Sequence, residues 1–287
     1  MAARLDQHVV EVRDDAYPTL LRQIHDSPER LFVGGSNITI LQKRMVALVG
    51  ARSCSSYGSQ VARTLARALP EAGAVIVSGL ARGVDTEAHR GALDVGGATI
   101  AVLGCGIDVV YPARNRRLAE RIREEGLLVS EYPDTTPVAP WRFPARNRII
   151  AGVALATIVV EARERSGALI TADFALDAGR EVLAVPGEIT SSRSAGTNAL
   201  IRYGATPVGS ISELVADLGF EVVAPRASTS SDAERRLIDA IESGATTLDD
   251  LGRALDLASA TLSSEITELE LAGRLEAVDG HYRVTVI

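Results

Sequence analysis

Residues 45–79 read MVALVGARSCSSYGSQVARTLARALPEAGAVIVSG. The first six are a continuous apolar run that ends in glycine, and AVIVSG at 74–79 is a second. Between them, residues 57–70 place apolar side chains at helical spacing. A strand with one wet face alternates, whereas a strand covered on both faces is apolar throughout. The stretch therefore predicts two parallel strands joined by a helix. The unit repeats outward. A helical pattern at 86–96 leads to ATIAVLG (98–104), and another at 115–126 leads to LLVSEY. ATIVVEA, EVLAVPG and ATPVGS continue the strands, with helical patterns between them. The expected fold class over residues 45–220 is α/β, a Rossmann-like, doubly wound, mostly parallel sheet. Ligands on such sheets sit at the carboxyl ends of the strands, where the glycines and polar residues of this chain gather.

Residues 1–44 contain a Tyr-Pro turn, a short amphipathic stretch and an Asp-Ser-Pro turn, and are expected to be a lead-in that covers the sheet edge. Residues 221–230 are rich in Pro, Ser and Thr and read as a linker. Residues 231–287 then show a helix capped by Ser231 or Asp232, a helix at 247–257, and a third from 259 closed by Gly273. A hairpin with a turn at Asp279-Gly280 follows. Three helices and a hairpin make a winged helix. Its third helix has Glu265, Glu268 and Glu270 and neither Lys nor Arg. Duplex phosphates would repel it, so a protein-binding or structural module is expected in place of a duplex-DNA reader.

Charge follows this division. Of the 37 Asp and Glu, 12 lie in residues 228–287 with 5 Arg, which accounts for the whole net charge of −7. The body is neutral, and residues 111–148 hold 8 Arg against 5 acidic residues. Lys43 is the single lysine. The two cysteines, Cys54 and Cys105, show no metal spacing and are expected to be buried free thiols. MAARLDQHVVEVRDD lacks an apolar segment, and no apolar run reaches membrane length, so a cytoplasmic protein with neither signal peptide nor membrane span is expected.

Four loops at strand ends carry residues suited to anions. GARSCSSYG (50–58) offers Gly50, Arg52 and Ser53 before a helix. It matches neither GxGxxG nor GxxxxGK[ST], so no dinucleotide or ATP site is expected. SGLARGVD (78–85) supplies Gly79, Arg82 and Gly83. RSGALIT (165–171) places Ser166 and Gly167 at a helix start with Thr171 one turn on, and residues 186–201 place Thr197 and Asn198 likewise. Ordinary capping explains any one of these loops; together they point to a phosphate-rich ligand. WRFPARNRII (141–150) adds Trp141, Phe143, Arg146, Asn147 and Arg148, with a helix expected over 145–153. Aromatic faces beside guanidinium groups describe a single-stranded nucleic acid groove. They equally describe a staple at Phe143 with arginines paired to Glu131 or Glu161, and the pattern leaves both readings open.

At these residues the sequence resembles the DNA processing protein A family, DprA or Smf. The matching segments are VALVGARSCSSYG, IVSGLARGVDTEAHRGAL, TIAVLGCGIDVVYPARNRRL, LLVSEYP, FPARNRIIAG, RSGALITADFALDAGREVLAVPG and GTNALIRYGA, in order from about residue 45 to 218. The resemblance implies an extended Rossmann fold that binds single-stranded DNA, forms a homodimer, and loads the RecA recombinase onto DNA entering in natural transformation, without catalytic chemistry or a cofactor. It also implies a terminal winged helix. It places the DNA pocket on Arg52, on SGLARG, on Phe143, Arg146 and Asn147, and on Ser166, Gly167 and Thr171. Family members often begin with a helical domain of the SAM type, of which residues 1–44 show a stub. Some carry a lysine where this chain has Ala113, so Arg114 or Arg116 is expected to take over that phosphate contact.

A competing class is a nucleotide-binding enzyme like the lysine-decarboxylase-like phosphoribohydrolases. Their PGGxGT run is missing, its nearest counterpart being PGEITSS, and an acid or base would have to be Asp85, Glu131, Glu161 or Glu188. A third reading is an adaptor whose acidic winged helix binds a protein while the body dimerises.

Overall fold

The structure, a computed structural model, describes residues 7–35, 37–221, 232–271, 274–278 and 280–284. It divides into two compact units, Met1–Val222 and Val223–Ile287. The first opens with β1 (Gln7–Glu11), α1 (Thr19–Arg22) and β2 (Arg30–Gly34). There follow β3 (Met45–Val49), α2 (Ser56–Glu71), β4 (Val75–Ser78), α3 (Val84–Asp94), β5 (Thr99–Leu103), α4 (Arg116–Glu125) and β6 (Leu127–Ser130). Then come α5 (Arg142–Val153), β7 (Ala156–Val159), α6 (Gly167–Asp177), β8 (Glu181–Ala184), α7 (Ala195–Arg202), β9 (Thr206–Pro207) and α8 (Ile211–Asp217).

These strands form one nine-stranded sheet in the order β1-β2-β6-β5-β4-β3-β7-β8-β9. From β6 to β9 every pairing is parallel, and β1 and β2 are antiparallel additions. All seven apolar runs are strands of this mostly parallel Rossmann-like sheet. The reason is visible in β3, where Met45, Ala47 and Val49 pack into the core under α5 and α6 while Val46 and Leu48 pack under α2 and α8. Both faces are dry, so no polar alternation is tolerated.

The lead-in reading of residues 1–44 needs correction. Val10, Leu31 and Val33 point into the core, and residues 7–34 lengthen the sheet by two strands beyond β6. Each strand is five residues long, too short for its alternation to stand out in sequence. Cys105 is buried as expected, Cys54 is half-exposed, and both are free.

The second unit contains α9 (Asp232–Glu242), α10 (Leu248–Leu255), α11 (Ser259–Leu271), β10 (Leu275–Val278) and β11 (His281–Val284), the expected three helices and hairpin. Leu237, Ile241, Leu251, Leu255, Leu262 and Ile266 form its core. Thr247 caps α10 by accepting from Asp250 N at 3.2 Å. Residues 222–230 of the linker expected at 221–230, the cap at Ser231, the stop at Gly273 and Asp279 of the turn lie outside the described residues. Among the described residues, no helix is long and apolar enough to cross a membrane, and no cluster of His, Cys, Asp and Glu has the makings of a metal site.

Candidate nucleic-acid interface

The strand order reverses between β3 and β7, neighbours whose chain paths continue to opposite sides. Loops leaving the carboxyl ends of such strands diverge and open a crevice. Here the crevice is a cleft of about 530 Å³. Its walls are residues 49–53 after β3, Phe143 to Asn147 of α5, and residues 163–171 from the β7 loop into α6.

Helix α5 starts at Arg142, three residues earlier than the sequence reading placed it, with Trp141 as its cap. Pro144 falls at the third helical position, where a missing N–H costs no hydrogen bond. Phe143 therefore occupies the first turn, and Arg146 and Asn147 the second. From there Arg146 reaches across the strand ends. Its Nη1 donates to Gly79 O at 2.8 Å and to Val102 O, tying β4 to β5. Its Nε donates to Asn147 Oδ1 at 3.2 Å. The residue is 4% exposed. Burial lowers its pKa to about 10, partly offset by Asp85, so the guanidinium is charged at neutral pH. Asp85 is buried too, and its Oδ2 accepts from Gly79 N and Ala81 N, both at 3.2 Å. Burial raises the Asp85 pKa against the attraction of Arg146.

Two glycines permit this packing. A Cβ on Gly79 would lie 2.5 Å from the Arg146 guanidinium. Gly83 has φ +75°, and its Cβ would lie 2.2 Å from Ala51 O. Residues 79–83 are thus pressed against residues 50–52, and Asn115 Nδ2 fixes them from the other side by donating to Leu80 O at 2.9 Å.

The two helix N-termini near the cleft differ. That of α2 is already occupied by an anion of the chain itself. Ser55 N donates to Glu161 Oε2 at 2.8 Å, and the Ser55 hydroxyl donates to Glu161 Oε1. The expectation that this helix start faces a ligand phosphate is corrected accordingly: the Glu161 carboxylate occupies the position at the positive end of the helix dipole, holding the cap residue Ser55, whose hydroxyl accepts from Gly58 N at 3.0 Å. The start of α6 is open. Ser166 caps it by accepting from Ala168 N at 3.3 Å, Asn147 Nδ2 donates to Gly167 O at 3.2 Å, and nothing stands within 4 Å of where a Gly167 Cβ would be.

Of the residues singled out in sequence, Gly50, Arg52, Ser53, Phe143, Arg146, Asn147, Ser166, Gly167 and Thr171 line this cleft. Gly79 and Gly83 stand behind the wall as described. Arg82 on the loop after β4, Arg114 in the 3-10 turn before α4 and Arg116 at the start of α4 are exposed and enter no ion pair among the described residues. Arg148 lies elsewhere: it pairs with Glu131 at 2.6 Å and Asp26 at 2.8 Å, as the ion-paired alternative anticipated. Thr197 and Asn198 are also apart from the cleft. Thr197 donates to Ser194 O, and Asn198 brackets both backbone groups of Gly187. The sequence reading missed Arg163 and Arg165, exposed in the β7–α6 loop and lining the cleft. Their signal is two arginines alternating just before Ser166-Gly167.

The Arg52 guanidinium lies 5.6 Å from the Phe143 ring centroid, and Phe143 stacks at 5.3 Å on Tyr111. The cleft thus joins unpaired guanidiniums, an open helix N-terminus and an aromatic face. A family model described as DNA recombination-mediator protein A matches residues 8–219. The chain belongs to the DNA processing protein A family. A second model, the DprA winged helix domain, matches residues 221–281. DNA processing protein DprA of Streptococcus pneumoniae is 46% identical over 209 residues, 73% of each chain. Protein Smf of Escherichia coli is 38% identical over 289 residues, covering 96% of this chain and 77% of that one. Among solved structures, Streptococcus pneumoniae DprA aligns with a TM-score of 0.71 at 44% identity, over 76% of this chain and 75% of that chain. Helicobacter pylori DprA aligns with a TM-score of 0.68 at 30% identity, over 76% of this chain and 98% of that chain, and its study concerns a single-stranded DNA binding mode.

Proposed function

We propose that this chain is a non-catalytic single-stranded DNA-binding protein that protects the strand and loads a RecA-type recombinase onto it. The observation that carries the reading is the cleft at the strand-order reversal. Arg52, Arg163 and Arg165 there form no salt bridge among the described residues, beside an α6 N-terminus whose side-chain cap is its own Ser166 and which no carboxylate occupies. Phosphates satisfy both, and the Phe143 face takes a base. The family's description as a recombination mediator and the Helicobacter pylori relative support the choice of ligand. Arg82, Arg114 and Arg116 extend the positive rim.

Three of the four carboxylates an enzyme would draw on have other work. Asp85 holds the 79–81 backbone, Glu161 caps α2, and Glu131 pairs with Arg148. This favours binding over nucleotide hydrolysis. We further propose a cytoplasmic homodimer whose acidic winged helix engages a protein. Binding is tested by titrating the full chain against labelled oligo-dT at two salt concentrations. Loading is tested by the rate at which RecA filaments form on the protein-coated strand, which should rise with this protein present.

A further inference from the structure

We propose that a strand leaving the cleft continues across the ends of β5 and β6 onto a second stacking ledge made by Trp141, Arg142 and Tyr132. The proposal rests on the single-stranded DNA reading of the cleft and adds the path the strand takes out of it.

Trp141 is the only tryptophan of the chain and is 63% exposed. An indole so exposed leaves a large apolar face in water, which a stacked base would cover. It is also held in place. Arg142 places its guanidinium 5.0 Å from the Trp141 ring and 4.7 Å from the Tyr132 ring. The two rings meet edge to face at 6.5 Å and 88°, and Arg142 Nη1 donates to Pro137 O. A platform fixed before binding loses little side-chain entropy when a base stacks on it. Arg142 enters no ion pair among the described residues, so its charge is free for a phosphate. Burial pushes the Tyr132 phenol up to about 12, so its ring stays neutral.

The ledge is continuous with the cleft. Phe143, two residues on, carries the Arg52 and Tyr111 contacts, and the first turn of α5 sits on Gly104 at the end of β5. Tyr132 stands two residues beyond β6. The cleft opens at β3, and β6 is three strands away, about 14 Å at the usual spacing. Nucleotides reaching beyond the cleft in this direction meet the ledge. A duplex hides its base faces and gains nothing from it.

The single tryptophan makes the test direct. Intrinsic fluorescence of the full chain is followed during titration with oligo-dT of about 4 and about 20 nucleotides, while anisotropy of labelled oligos reports binding itself. Both lengths should bind, and only the longer should quench Trp141. Trp141→Ala should weaken the longer oligo about 5-fold or more and the shorter less than about 2-fold. Trp141→Phe, which keeps an aromatic face, should recover part of the loss. Binding of the longer oligo without quenching, or quenching equal at both lengths, overturns the path. Absence of binding at either length in low salt overturns the cleft reading and the ledge with it.

Discussion

Three arginines of α5 and its neighbours make the residue-scale point that the same side chain serves three ends. Arg146 is buried and ties two strand ends together, Arg148 is ion-paired, and Arg52 faces the cleft. Their alanine variants should separate accordingly. Arg146→Ala removes the buried charged hydrogen bonds to Gly79 O and Val102 O and weakens the positive field at Asp85, and should cost about 3–5 kcal/mol in urea unfolding, taking DNA binding down with the cleft. Arg52→Ala should change stability by less than about 1 kcal/mol, since an exposed cation–π contact and a weak attraction to Asp85 are lost. It should lower single-strand affinity and flatten the salt slope by about 0.7. Arg148→Ala should cost stability with binding unchanged; a loss of affinity without a loss of stability would put Arg148 back at the interface. His89 supplies a pH test at the same scale. Thr99 Oγ1 gives its hydrogen to Ile76 O, so it accepts from His89 Nδ1 at 2.8 Å, and Nε2 is buried without a partner. Burial, with Arg146 nearby, lowers the His89 pKa to about 3. The unfolded chain binds this proton near pH 6.5 and the folded one does not. Stability should therefore rise with pH across that window, by up to about 1.4 kcal/mol per unit, and fall as pH drops. Subtracting the unfolding profile of His89→Leu isolates the term; parallel profiles would contradict it.

At the scale of elements, the helix starts decide the chemistry. Glu161 fills the anion site at α2, and the steric margin is small: a Cβ on Gly58 would lie 2.5 Å from its carboxylate. Gly58→Ala should thus destabilise by about 1–3 kcal/mol through overpacking. Glu161→Gln should cost about 1–2 kcal/mol in unfolding by weakening the cap. The strands were legible because burial on both faces leaves a pattern that needs no long-range information. The loops after β3 and β7 were legible as walls of the cleft because glycines and arginines stand at strand ends. The partnership of Ser55 with Glu161, 106 residues away, was not, because capping by a distant carboxylate leaves no local mark. Nor was the burial of Arg146, which depends on how three strand ends converge. The start of α5 was misplaced because Pro144 reads as a breaker unless its position in the first turn is known.

On the scale of the whole molecule, a sheet of nine strands puts its reversal point between the sixth and seventh and gathers the loops of β3, β4, β5 and β7 around it. The chain's acidity is confined to the winged-helix unit, leaving the body neutral overall and locally positive. On the proposed function, that division assigns phosphate binding to one unit and protein binding to the other. The central claim is that the cleft takes single-stranded DNA. The measurement that tests it most directly is fluorescence anisotropy of the full chain with a labelled oligo-dT of about 30 nucleotides and a matching duplex, each at two salt concentrations. Tight, salt-sensitive binding to the single strand and much weaker binding to the duplex are expected. Equal affinity for both, or no binding at low salt, would contradict that claim.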